Sequence, residues 1–77
     1  MQVTVLLFGQ LTDITGTNKL VLENIADTHT LARQLQSRYP ALQPAHYLIA
    51  VNKQLVQENT MLQDGIEVAL LPPYSGG

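Results

Sequence analysis

Thr28-His29-Thr30-Leu31-Ala32-Arg33-Gln34-Leu35-Gln36-Ser37-Arg38-Tyr39-Pro40 is the stretch that reads as a full-length helix, and runs that read as strands stand on both sides of it. Its apolar residues Leu31, Ala32, Leu35 and Tyr39 recur at i, i+1, i+4 and i+8, which places them in one stripe. Arg33, Gln34 and Gln36 take the wet side. Thr28 is the expected N-cap, because its hydroxyl can accept from a free N–H of the first turn. Leu31 stands where a capping box would have Glu. Arg38 lies near the C-terminus, where a cation favours the helix dipole. Pro40 disfavours helical geometry at Tyr39, so the helix ends there.

A helix with a single apolar stripe needs an apolar face to cover. Towards the N-terminus, Val3 to Phe8 reads as a first strand, with Val3, Val5 and Leu7 on one face and Thr4, Leu6 and Phe8 on the other. Gly9 closes it. Gln10 to Gly16 is a connector with Leu11 and Ile14 at helical spacing, expected to form one short turn ended by Gly16. Asn18 to Leu22 reads as a second strand, a hairpin partner of the first. Towards the C-terminus, Ala41 to His46 is a loop and Tyr47 to Val51 a strongly apolar third strand. Asn52-Lys53 is a turn, Gln54-Leu55-Val56 a short fourth strand, and Gln57 to Gln63 a crossing segment. Asp64-Gly65 is a turn signal, since such turns need a positive φ. Ile66 to Leu71 is the last strand, with Ile66, Val68 and Leu70 on one face and Glu67, Ala69 and Leu71 on the other. Pro72-Pro73 then stops the sheet, because neither proline has an N–H to donate. The order β-β-α-β-β-β, with one main helix on one face of a mixed sheet, is the α+β layout of a β-grasp, or ubiquitin-like, fold. Residues 1–71 form the expected domain and residues 72–77 a free C-terminal Gly-Gly tail.

The composition bounds the function. The chain has 77 residues, a formal net charge of -2 and no Cys. This length allows one domain with a thin core. Without Cys there is no disulfide framework, Cys-ligated metal or thiol chemistry. Lys and Arg are few and scattered, which argues against nucleic acid. No apolar run reaches the ~18–20 residues of a membrane span, and the first residues have no basic region of a signal peptide. A soluble, cytoplasmic protein with no nucleic-acid or membrane partner is expected. Charged residues are 13% and hydrophobic ones 45%, so part of the surface is expected to be apolar and covered by a partner protein.

Few residues can carry chemistry. His29 and His46 lack acids at metal-ligand spacing, and neither Ser37 nor Ser75 lies in a nucleophile elbow. No Gly-rich phosphate loop precedes a helix. The strongest feature is the ending Pro72-Pro73-Tyr74-Ser75-Gly76-Gly77. Prolines make a stiff exit from the domain. Glycines lack side chains, so Gly76 and Gly77 can thread a narrow channel into another protein's active site. The α-carboxylate of Gly77 then becomes an electrophile once adenylation by ATP supplies a leaving group, and the domain itself brings no catalytic group for that step. Near the tail root, Phe8, Leu55 and Leu71 fall on positions that need not be core. The first and last strands of a β-grasp sheet are neighbours, so Phe8 and Leu71 are expected to share one exposed apolar patch.

Taken together, Val5-Leu6-Leu7-Phe8-Gly9-Gln10, Ala50-Val51-Asn52, Asp64-Gly65-Ile66-Glu67-Val68 and Leu71-Pro72-Pro73-Tyr74-Ser75-Gly76-Gly77 resemble the sulfur-carrier small subunits of molybdopterin synthase, over essentially the whole chain. That resemblance implies a non-enzymatic subunit, active only within a heterotetrameric synthase whose large subunit holds the catalytic groups. An adenylyltransferase like those that activate ubiquitin would spend ATP on Gly77, and a sulfur donor protein would convert it to a thiocarboxylate. The tail would then insert into the large subunit and give sulfur to cyclic pyranopterin monophosphate, building the dithiolene. The free domain would bind no cofactor and no metal. Phe8, Leu55, Leu71, Pro72, Pro73 and Tyr74 would be partner contacts. Two departures stand out: Leu11-Thr12-Asp13 replaces a connector that often has arginine, and Tyr74 is bulkier than the usual residue. Two alternatives stand beside this reading. One is a sulfur carrier for thiamine, cysteine or tRNA thiolation. The other is a ubiquitin-like modifier joined to lysines through the same glycine.

Overall fold

The computed structural model describes residues 2–73. Its elements run β1 (Gln2–Leu7), α1 (Gln10–Thr15), β2 (Lys19–Glu23), α2 (Thr28–Arg38), a 3-10 turn (Pro40–Leu42), β3 (Leu48–Val51), β4 (Gln54–Val56) and β5 (Ile66–Leu71). The five strands form one sheet in the order β2-β1-β5-β3-β4. β1 and β5 run parallel at its centre, and the other neighbours are antiparallel. This is the expected mixed sheet, with α2 as the one main helix.

Alternation along the two central strands builds the core. Val3, Val5 and Leu7 of β1 and Val68 and Leu70 of β5 are buried, and Leu31 and Leu35 of α2 pack against them. Ile66 belongs to the same face but is only half-buried at the sheet's end. Ile25, Leu42 and Leu62 complete the core from connecting segments. Leu42 reaches it because Pro40–Leu42 forms its own turn, with the Gln43 N–H bonded to the Pro40 carbonyl at 3.0 Å.

The helix start corrects one expectation. Asp27, not Thr28, is the N-cap of α2: its backbone is extended and its Oδ1 accepts from the Thr30 N–H at 2.8 Å. Thr28 is instead a buried link to the segment before β5. Its N–H donates to the Thr60 carbonyl at 3.0 Å, and its Oγ1 accepts from the Thr60 N–H at 2.9 Å. Asn59 closes the same clasp. Its Oδ1 accepts from the His29 N–H at 2.9 Å and its Nδ2 donates to Asp27 Oδ2 at 3.1 Å. These bonds hold the carboxyl of Asp27 down at about 2, those from Thr30 contributing most. The tertiary partners on the crossing segment decide the cap, and local spacing around Thr28 cannot show them.

The turns fall where expected. α1 stops at Gly16, Asn52 and Lys53 take the positive φ values of a tight hairpin turn, and Gly65 does so before β5. β2 and β3 each start one residue later than the pattern suggests. β1 stops at Leu7, although the Phe8 N–H still bonds to the Leu70 carbonyl at 3.2 Å. No helix among the described residues is long and apolar enough to cross a membrane.

Candidate functional site: the outer sheet face and the tail root

With α2 on one face of the sheet, the register fixes what the other face presents. Leu6 lies beside Ala69, Ala69 opposite Ala50, and Ala50 opposite Leu55. One row across four strands therefore reads Leu-Ala-Ala-Leu. Both central members are cut back to a methyl group, so the sheet surface sinks between the two leucines. One step closer to the tail, Leu71 stands opposite Leu48, and Phe8 extends the β1 side by its bond to Leu70. The result is an open depression of about 380 Å³ lined by Leu6, Phe8, Ala50, Leu55, Ala69 and Leu71, with Lys53 and Glu67 among its lining residues.

Large apolar side chains lie open to solvent here. Phe8 is 44% exposed, Leu48 41% and Leu55 62%. Met61 is exposed elsewhere, but the grouping of these residues on one face of so small a domain makes that face a candidate docking surface. A dent with an alanine floor and leucine walls suits an apolar side chain of a partner, seated as interface anchors are.

The expected contact residues divide between two surfaces. Phe8, Leu55 and Leu71 come together in the depression. Pro72 and Pro73 line a separate cleft, against Leu11 and Ile14 of α1 and Pro44, Ala45 and His46 of the loop before β3. Tyr74, Gly76 and Gly77 lie outside the described residues. Strand alternation puts Leu6, Glu67 and Ala69 on the outer face but gives them no place in the patch. Leu48, Ala50 and Lys53 are not among the residues that the sequence singles out. The signal for them is the pairing register, which brings Ala50 onto Ala69 and no strand pattern contains.

Among the described residues no group of three His, Cys, Asp or Glu side chains could hold a metal ion. His29 sits at the start of α2 and His46 on the rim of the proline cleft. The candidate site consists of an exposed apolar face and the root of a C-terminal segment.

The ThiS family model matches residues 5–77, and so spans the β-grasp domain and the C-terminal segment together. The chain belongs to the ThiS family. This ThiS-family chain is 36% identical over its full length to the whole molybdopterin synthase sulfur carrier subunit of Chlamydomonas reinhardtii. It is 35% identical to the subunit of that name from Mycobacterium tuberculosis, with 100% of this chain and 99% of the relative covered. Among solved structures, the complex of subunits 1 and 2 of molybdopterin-converting factor from Helicobacter pylori contains a similar chain. That chain is 31% identical and superposes with a TM-score of 0.75 over the whole of both chains. The ThiS-family fold is thus the β-grasp expected from the order of elements.

Proposed function

We propose that this chain is the sulfur carrier subunit of molybdopterin synthase. The observation that carries the proposal is the placement of one exposed apolar depression at the end of the sheet where β5 runs out into Pro72, Pro73 and the Gly76-Gly77 terminus. The depression thereby reaches Leu71, the last residue of β5, next to the described root of the C-terminal segment. Full-length likeness to sulfur carrier subunits supports the reading, as does a neighbour solved in complex with a second subunit.

The chemistry then runs through the α-carboxylate of Gly77. A carboxylate resists nucleophiles, because its leaving group would be an oxide ion. An activating enzyme of the kind that adenylates ubiquitin-like proteins joins the carboxylate to AMP and releases pyrophosphate from ATP. Sulfide released by a donor protein attacks the acyl carbon, the bond to AMP breaks and AMP leaves, and the product is a thiocarboxylate. Sulfur is a good nucleophile at neutral pH, so inside the large subunit the thiocarboxylate attacks an oxygen-bearing carbon of the pterin precursor, cyclic pyranopterin monophosphate, forming a C–S bond as the C–O bond there breaks. Hydrolysis of the acyl bond leaves sulfur on the pterin and returns Gly77 as a carboxylate. Two carriers in turn complete the dithiolene. This domain contributes docking and delivery in the cytoplasm. The catalytic groups belong to the large subunit, and ATP is consumed by the activating enzyme and not bound here.

The test is co-purification with the large subunit, followed by conversion of the pterin precursor by the complex carrying thiocarboxylated chain. Formation of molybdopterin supports the reading. A chain that accepts sulfur but yields no molybdopterin with the large subunit assigns it to another thiolation pathway.

A further inference from the structure

Gly9 joins β1 to α1 with φ 58 and ψ -135, a backbone region that only glycine enters without strain. It is held on both sides. Its carbonyl accepts from the Thr12 N–H at 3.1 Å and the Thr12 hydroxyl at 2.8 Å, while the N–H of the preceding Phe8 is bonded to Leu70. A β-carbon built on Gly9 would lie 2.7 Å from Cγ of Pro72 and 3.6 Å from its Cδ. The Pro72 ring therefore occupies the space that a side chain at position 9 would fill.

Pro72 is the first residue after β5 and has no N–H, so no ladder hydrogen bond from its own nitrogen can aim the chain there. Packing must do so. We infer that Gly9 is a positioning residue: its bare α-carbon is the seat on which the Pro72 ring rests, and this seat sets the direction in which the C-terminal segment leaves the sheet. Phe8, next in the chain, lies in the docking depression. A partner that holds Phe8 thus meets Pro72 at a fixed position beside that contact. The geometry stands without the carrier reading, but its consequence for sulfur transfer rests on it. Misplacement of a reacting group by ~1 Å can cost about a hundredfold in rate, so a seat near the tail root acts on transfer more than on docking.

Three variants test this: Gly9→Val, Pro72→Gly and the double substitution. Pro72→Gly removes the ring and leaves residue 9 unstrained, so it carries the test if Gly9→Val does not fold. Three quantities are read: the Kd for the large subunit, the single-turnover rate of sulfur transfer at saturating large subunit, and, in the free protein, a nuclear Overhauser contact between the Gly9 α-protons and the Pro72 ring. The contact is expected in the wild type. With large subunit held at saturation by each variant's own Kd, each single variant is expected to slow transfer by about tenfold or more, and the double to be no slower than the worse single, since one shared contact is lost. Transfer at the wild-type rate in Pro72→Gly, losses that multiply in the double variant, or absence of the contact in the wild type overturns the seat. A wild-type chain that shows the contact but transfers no sulfur overturns the carrier reading and leaves the seat standing.

Discussion

Ala50 stands directly opposite Ala69 across the β3–β5 ladder, and these two methyl side chains make the floor of the dent between Leu6 and Leu55. The exposed face is thus shaped by what the side chains lack as much as by the leucines around them. Ala69 is half-buried on that outer face, so a larger residue there can project outward without entering the core.

Filling the dent should therefore separate docking from folding. Ala69→Leu is expected to weaken binding to the large subunit by about tenfold or more, equivalent to ~1.4 kcal/mol, with Tm nearly unchanged. Calorimetric titration alongside a thermal scan reads both. Unchanged affinity would show that the partner does not enter the depression.

Phe8→Ala tests the wall nearest the tail. An aromatic anchor at an interface commonly contributes ~2 kcal/mol or more, so Kd should rise by more than about tenfold. Phe8 is 44% exposed in the free domain, so its stability should fall little. A large drop in Tm with unaltered affinity would make Phe8 a core residue.

Leu35→Ala and Leu42→Ala probe the opposite side. Both side chains are buried, at 1% and 0% exposure, and each truncation should cost ~2–5 kcal/mol, a large share of the stability of so small a domain. Denaturant unfolding measures it. A much smaller loss at Leu42 would mean that the 3-10 turn can collapse around the cavity.

The contrast between those two leucines shows how far the fold is legible from sequence. Leu35 is one member of a helical stripe, and Val3, Val5, Leu7 and Ile66, Val68, Leu70 are members of alternating strands, so periodicity exposes them. Leu42, Ile25 and Leu62 are single apolar residues in connectors and carry no period. Their burial follows from how the connectors cross the core. Asp27 and Thr28 are both competent caps, and the choice between them rests on Asn59 and Thr60, about thirty residues away. At the site, Phe8, Leu55 and Leu71 were legible as apolar residues at wet positions. The dent was not, because Ala50 and Ala69 acquire meaning only once they face each other. Pro72 reads as a stiff exit, while its seat on Gly9 is tertiary.

The Asp27 clasp predicts a pH dependence. Its carboxyl is lowered from 3.8 to about 2 in the folded chain. A folded-state pKa below the unfolded one adds stability above the unfolded value, and this stability is lost as pH falls through the folded one. Asp27→Ala should lower Tm at pH 7. The gap to wild type should shrink between pH 4 and pH 2, the interval set by those two values. Thermal scans across that range check it, and a gap that stays constant to pH 2 would show that the carboxylate charge contributes nothing.

The central claim is that Gly77 carries sulfur on its own carboxyl group. Intact-mass spectrometry, after incubation with an activating enzyme, ATP and sulfide, tests it most directly. The full-length chain should gain the mass difference of one oxygen replaced by sulfur, located on the C-terminal residue by fragmentation. A chain lacking Gly77 should stay folded and unmodified, because its carboxylate is set back by one residue, ~3.3–3.6 Å, from the adenylating site. A full-length chain that acquires no sulfur under conditions where a known carrier does, or a shortened chain modified equally well, would contradict the account.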